Sequence, residues 1–130
     1  MPPTIMVVDD SQMVRRQVSH ALVAAGFDVV EAADGADALQ QLTAIASPSL
    51  IVLDVNMPKM GGIEFLQTLR GKGQGAAMPA VVMLTTEGEP RLMQEAKALG
   101  AKGWIIKPFK PEMLVAAVQK LTQASDPKKQ

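Results

Sequence analysis

The chain contains no cysteine, which excludes disulfide frameworks, thiolate zinc sites and thiol catalysis together. A single histidine, His20, excludes multi-histidine metal sites and disfavours a Ser-His-Asp triad. Long apolar runs are missing as well. The longest aliphatic stretch, Ala80-Val81-Val82-Met83-Leu84, falls far below the roughly 20 residues a membrane-spanning helix needs. The opening Met1-Pro2-Pro3-Thr4 lacks the basic and apolar regions of a secretory signal, so a cytoplasmic location without membrane attachment is expected.

Net charge is also absent, with 13 basic and 13 acidic residues, but the balance hides an asymmetry. Through Asp54 there are seven acids (Asp9, Asp10, Asp28, Glu31, Asp34, Asp37, Asp54) against two bases, and from Val55 onward six acids against eleven. An acidic front half argues against nucleic acid as a partner and suits a cation, whereas the basic rear half suits solvent or an acidic partner. At 130 residues the chain is one domain that buries about two-thirds of its unfolded surface and needs no staple. The expected limits are a domain over 1–124 and a polar, frayed tail over 125–130, without internal repeats, and a monomer.

Short aliphatic runs alternate with helix-period segments throughout. Strands are predicted over Thr4–Val8, Asp28–Ala32, Leu50–Asp54, Ala80–Thr85 and 103–106. Three of these carry unbroken apolar runs, the pattern of a central strand covered on both faces. Helices fit between them. The first follows Ser11 as its cap, repeats Val14, Val18 and Leu22, and stops at Gly26. The second follows Asp34 and carries Ala38, Leu39, Leu42 and Ile45. The third begins near Gly62 with Ile63, Leu66 and Leu69. The fourth has Pro90 in its first turn, apolar Leu92, Met93, Ala96 and Leu99, and Gly100 past its end. The fifth runs from Pro111 through Leu114, Val118 and Leu121. Five strands and five helices in strict alternation imply an α/β fold, a parallel sheet with helices on both faces.

In such a sheet the chemistry lies at the carboxyl ends of the strands. Those ends deliver Asp9 and Asp10, then Asp54, then Thr85 and Thr86, and finally Lys107. Carboxylates crowded at one edge repel, and a hard divalent cation is the physical remedy. Oxygen-only ligation by few carboxylates suits Mg2+, which keeps waters and leaves positions for phosphate oxygens. Asp10 and Asp54 are expected as direct ligands, Asp9 as an outer-sphere one, and the Asn56 carbonyl as a further candidate. An ionised carboxylate needs no general base to attack phosphorus. In-line transfer spreads charge over three equatorial oxygens, for which the metal, Lys107, and the Thr85 hydroxyl with a backbone N–H near Thr86 are the available partners. The product would be an acyl phosphate on Asp54, adding about −1.5 to −2 charge.

Four motifs in this order, each preceded by a strand, carry a resemblance: Val7-Val8-Asp9-Asp10-Ser11, Leu53-Asp54-Val55-Asn56-Met57-Pro58-Lys59-Met60-Gly61-Gly62, Met83-Leu84-Thr85 and Lys107-Pro108-Phe109. Over residues 4 to about 123 the chain resembles the response-regulator receiver family. The resemblance implies a doubly wound, flavodoxin-like sheet of order 2-1-3-4-5 and a cis peptide before Pro108. It implies Asp54 as phosphoacceptor, Asp9 and Asp10 on magnesium, Lys107 on the phosphoryl group, and Thr85 as the switch hydroxyl. The donor would be a phosphohistidine on a separate histidine kinase, with no turnover beyond self-phosphorylation and self-dephosphorylation. Phosphorylation would draw Thr85 inward and let an aromatic of the fifth strand rotate, here Trp104 in place of the family's tyrosine or phenylalanine. Thr86 stands where alanine or glycine is usual, and its bulk narrows access to the site. The fourth helix, fifth strand and fifth helix would form the partner face, with Lys97, Lys102, Trp104, Lys110 and Met113. A flagellar-switch or pilus-motility protein is the expected partner; a phosphate sink or relay step is the alternative.

Two other classes fit less well. A small-molecule phosphohydrolase would want a proton-donating acid where Asn56 stands and a cap for which the chain has no spare length. A flavin carrier would want a phosphate loop after the first strand, where Asp9 and Asp10 repel phosphate. Gly71-Lys72-Gly73-Gln74-Gly75 imitates a phosphate cradle but leaves a helix and enters a strand, the reverse of what anion binding requires. Of the nine methionines, Met6, Met83 and Met93 are assigned to the core, and Met57, Met60 and Met113 to possible surface contacts.

Overall fold

The computed structural model describes residues 3–44, 48–55, 60–71, 79–85 and 90–124. The elements alternate: β1 (Thr4–Val8), α1 (Gln12–Ala24), β2 (Asp28–Ala32), α2 (Gly35–Ala44), β3 (Leu50–Asp54), α3 (Gly62–Gly71), β4 (Ala80–Thr85), α4 (Pro90–Ala98), β5 (Ala101–Ile106) and α5 (Pro111–Ala124). The strands form one sheet in the order β2-β1-β3-β4-β5, and every neighbouring pair is parallel.

Period-two alternation splits each central strand between two cores. Met6 and Val8, Ile51 and Leu53, and Val81 and Met83 face one side, where Ala38, Phe65, Leu66, Leu69 and Ala96 cover them. Ile5 and Val7, Leu50 and Val52, and Val82 and Leu84 face the other, against Val18, Leu22, Leu114 and Val118. This is why the apolar runs do not alternate with polar residues: both faces are dry.

Local signals fix where the helices begin and end. The Ser11 side chain accepts the Val14 N–H at 3.3 Å, and Asp34 Oδ1 accepts the Asp37 N–H at 2.8 Å. At the end of α1 the Gly26 N–H bonds the Val23 carbonyl and the Phe27 N–H bonds the Leu22 carbonyl, with Gly26 at φ +99°. Paired bonds of this kind need a left-handed residue, which glycine adopts without strain.

Two expectations are corrected. β5 starts at Ala101 rather than 103, because Ala101 pairs with Val81 and a register shift between Val81 and Val82 takes up Lys102. Met93 is not core: it is 36% exposed, because the buried stripe of α4 is centred on Ala96 and Met93 lies about 100° around the helix from its neighbour Leu92. Met60 and Met113 sit respectively against the core and exposed, while Ile45, Met57, the glycine-rich run from Lys72 and the tail 125–130 lie outside the described residues.

Candidate functional site

Asp9 follows β1 and is fully buried, with its N–H donated to the Ala32 carbonyl of β2 at 3.2 Å. Its carboxylate is held on both sides: Oδ1 accepts the Ser11 N–H at 2.9 Å, and Oδ2 accepts from Lys107 Nζ at 3.1 Å. Asp54 ends β3 and is 4% exposed, with Oδ1 3.7 Å from the same Nζ. Asp10 is exposed. One carboxylate oxygen each from Asp9, Asp10 and Asp54 lie within 4.8 Å of one another. Thr85 ends β4, is fully buried, and its carbonyl accepts the Lys107 N–H at 2.6 Å. The Lys107–Pro108 peptide is cis, as the resemblance implied. Asp9, Asp10, Asp54, Thr85 and Lys107 therefore meet at one edge of the sheet; Asn56 and Thr86 lie outside the described residues.

Three carboxylates and one ammonium leave this edge with a formal charge of −2, the charge a single divalent cation neutralises. All donors are hard oxygens, and no cysteine or histidine is among them. An octahedral Mg2+ with oxygens at about 2.0–2.1 Å spans just over 4 Å, so such a trio can share one ion through direct and water-mediated contacts. The residues present fit the group.

The approach of α3 depends on a glycine. A Cβ at Gly62 would stand 2.6 Å from the Asp54 carbonyl oxygen and 3.0 Å from Val55 Cα, both backbone atoms. Only a residue without a side chain lets the helix start so close behind Asp54, where the Gly62 N–H bonds the Val55 carbonyl at 2.9 Å. Arg15 was not singled out by sequence reasoning, yet its Nη1 donates to the Asp9 carbonyl at 2.7 Å and its Nε to Glu31 Oε1 at 3.2 Å. A cation in the first turn after two strand-end aspartates was the available signal, because helical side chains lean back toward the N-terminus.

On the β5 side, Lys97, Lys102 and Trp104 line a groove of about 310 Å³ together with Met93 and Gln94. Lys110 and Met113 are exposed but belong to the β5–α5 connection and α5, outside that groove. Trp104 is half-buried against the α4-side core, and its Nε1 is buried without a hydrogen-bond partner among the described residues. His20 is exposed on α1.

Residues 5–119 match the response regulator receiver domain. The chain belongs to that family. It is 32% identical over 123 residues to the chemotaxis protein CheY1 of Helicobacter pylori, covering 94% of this chain and 98% of that one. It is 36% identical over 111 residues to a chemotaxis protein CheY homolog of Campylobacter jejuni, covering 85% of each. Among solved structures, the chemotaxis protein CheY4 of Vibrio cholerae superposes with a TM-score of 0.85 at 42% identity, over 93% of this chain and 99% of that one. A CheY-like receiver from Methanospirillum hungatei reaches 0.88 at 21% identity, over 98% and 99%, a likeness of fold alone. This receiver is thus CheY-like across nearly the whole length of its relatives. Among the described residues no helix is long and apolar enough to cross a membrane.

Proposed function

We propose that this receiver takes a phosphoryl group from the phosphohistidine of a separate histidine kinase onto Asp54, with Mg2+ at the acidic edge, and thereby changes its affinity for a downstream protein in chemotaxis or motility signalling. The observation that carries the reading is the convergence of Asp9, Asp10 and Asp54 with the Lys107 ammonium, 3.1 Å from Asp9 and 3.7 Å from Asp54, at the carboxyl edge of the sheet. A carboxylate oxygen of Asp54 attacks phosphorus, the new O–P bond forms as the donor's N–P bond breaks, and the imidazole nitrogen leaves with the electron pair. Bound Mg2+, held by Asp10 and Asp54 with Asp9 outer-sphere and the Asn56 carbonyl as a further ligand, would neutralise charge on one transferred oxygen. Lys107 meets a second oxygen, and the Thr85 hydroxyl with a backbone N–H near Thr86 meets the third.

The proposed unit is residues 1–124, with 125–130 a tail, acting in the cytoplasm as a monomer. Its output face is the surface around Lys97, Lys102, Trp104, Lys110 and Met113, where a flagellar-switch or other motility component binds; service as a phosphate sink or relay step is the alternative. Incubation with acetyl phosphate and Mg2+ should add a phosphoryl group that Asp54→Asn abolishes and EDTA prevents, read by intact mass. Label that persists in Asp54→Asn sinks the assignment.

A further inference from the structure

The peptide unit joining Asp9 to Asp10 is held from behind by Arg15, and the structure assigns to this arginine the role of positioning residue for the acidic edge. The inference rests on the Mg2+ reading above. The guanidinium grips a main-chain atom rather than a carboxylate of the edge. Nη1 donates to the Asp9 main-chain oxygen at 2.7 Å. That oxygen, the Asp10 nitrogen and the Asp10 Cα belong to one rigid plane, so fixing the oxygen fixes where the Asp10 side chain departs from the backbone. Asp9 needs no such help. Its N–H is paired with Ala32, and its two carboxylate oxygens are taken by the Ser11 N–H and Lys107. Asp10 is different: it is exposed, and among the described residues its carboxylate accepts no hydrogen bond.

The clamp is itself anchored. Arg15 Nε bonds Glu31 Oε1 at 3.2 Å, and the two side chains are 16% and 31% exposed. The Glu31 carbonyl accepts from Gln41 Nε2 at 2.8 Å, and Gln41 also reaches Asp37 Oδ1 at 3.3 Å. Asp37 Oδ2 in turn accepts the Ala33 N–H at 3.0 Å. A chain of hydrogen bonds thus ties the β1–α1 turn to β2 and the start of α2. A guanidinium presents several donors in a fixed fork, and here two different nitrogens of it serve two acceptors that a single ammonium would have to share.

Electrostatics and positioning predict opposite outcomes for removal of Arg15. Deleting a positive charge next to the acidic edge should strengthen cation binding if charge were all that mattered. Releasing the Asp9–Asp10 peptide should weaken it, because a ligand that must be ordered on binding carries that entropy as a loss of affinity.

The test is Mg2+ titration of the unphosphorylated chain, followed by calorimetry and by Trp104 fluorescence, for wild type, Arg15→Ala, Arg15→Lys and Arg16→Ala. Arg16 neighbours Arg15 and is exposed, and none of its hydrogen bonds reaches the acidic edge among the described residues, so Arg16→Ala reports the charge effect alone. Arg15→Ala should bind Mg2+ about five- to tenfold more weakly, Arg15→Lys should fall between it and wild type, and Arg16→Ala should bind as tightly as wild type or slightly tighter. Urea unfolding in EDTA identifies a variant that fails to fold; Arg15→Lys then carries the comparison, and equality with wild type counts against the clamp. Arg15→Ala binding as tightly as wild type, or more tightly, overturns the assignment. Wild type binding no Mg2+ at millimolar concentration would sink the metal reading itself and this inference with it.

Discussion

Replacing Asp54 by asparagine changes one oxygen to an amide nitrogen and removes one charge from an edge that carries too many. With an effective dielectric constant of about 20, the Lys107 ammonium at 3.7 Å attracts the Asp54 carboxylate by about 4.5 kcal/mol, and Asp9 within 4.8 Å repels it by at least about 3.5. Asp10 is exposed, so its share of the repulsion is closer to about 1 kcal/mol. Attraction and repulsion therefore nearly cancel. What remains is the cost of holding a carboxylate at 4% exposure, which for a buried ion amounts to several kcal/mol before hydrogen bonding offsets part of it. Without metal, Asp54→Asn should stabilise the fold by about 1–3 kcal/mol, and a chain of this size converts each kcal/mol into about 3–5 °C of Tm. With Mg2+ at a hundred times its Kd, wild type gains about 2.7 kcal/mol, while the variant, one charged donor short, gains less. The stability gap should shrink or invert. Urea unfolding in EDTA and in excess Mg2+ measures both quantities. A variant that is less stable in EDTA, or a gap that Mg2+ leaves unchanged, refutes the reasoning.

Gly62→Ala forces a Cβ to within 2.6 Å of the Asp54 carbonyl, so it should cost about 1–3 kcal/mol and slow acetyl phosphate labelling. Gly35→Ala is the comparison, because its Cβ comes within 2.8–2.9 Å of Met60 Cβ, Cγ and Sδ, side-chain rather than backbone atoms, so that Met60 must shift; it should cost less by urea midpoint, and equal losses would show that the backbone approach behind Asp54 is not limiting. Ser19 is 8% exposed on α1 and its hydroxyl has no partner among the described residues, so Ser19→Ala should stabilise by about 1 kcal/mol. A loss of stability in urea would reveal a partner for that hydroxyl.

The strands that hold the site were readable because burial on both faces leaves a mark no surface strand carries. Ile5-Met6-Val7-Val8, Leu50-Ile51-Val52-Leu53 and Val81-Val82-Met83-Leu84 admit no polar residue, and each is followed or ended by a residue that must not be apolar: Asp9, Asp54, Thr85. Position at a strand's carboxyl end then brought residues far apart in sequence to one place, including Lys107 against Asp9 across 98 positions. The start of β5 was not readable, because Ala101-Lys102-Gly103 has no strand propensity and is extended only by pairing with β4 through a register shift. Met93 misled for a related reason: periodicity places a residue on a helix face, but the neighbouring elements decide how far that face is covered. Arg15 offered only the weak signal of a cation in the first turn after two strand-end aspartates, because its two acceptors, the Asp9 carbonyl just past β1 and Glu31 on β2, are brought together only by the folded sheet.

The buried polar residues show how the fold tolerates its site. Only four are fully or nearly fully buried among the described residues: Asp9, Asp54, Thr85 and Ser19, and three of them stand at the carboxyl edge. The rest of the interior is aliphatic or aromatic, in two layers that grip β1, β3 and β4 from both sides. Those strands cannot slide or tilt to separate Asp9 from Asp54 without exposing Met6, Val8, Ile51 and Leu53 on one face or Ile5, Val7, Leu50 and Val52 on the other. Each such side chain is worth about 1.5–3 kcal/mol when fully buried. The repulsion at the edge amounts to a few kcal/mol, so it is held in place rather than relaxed by movement of the backbone. The same rigidity keeps the carboxylates together with the Lys107 ammonium between Asp9 and Asp54, so that the proposed cation would meet oxygens already gathered, with Arg15 and Gly62 acting on that arrangement through distances of a few ångströms.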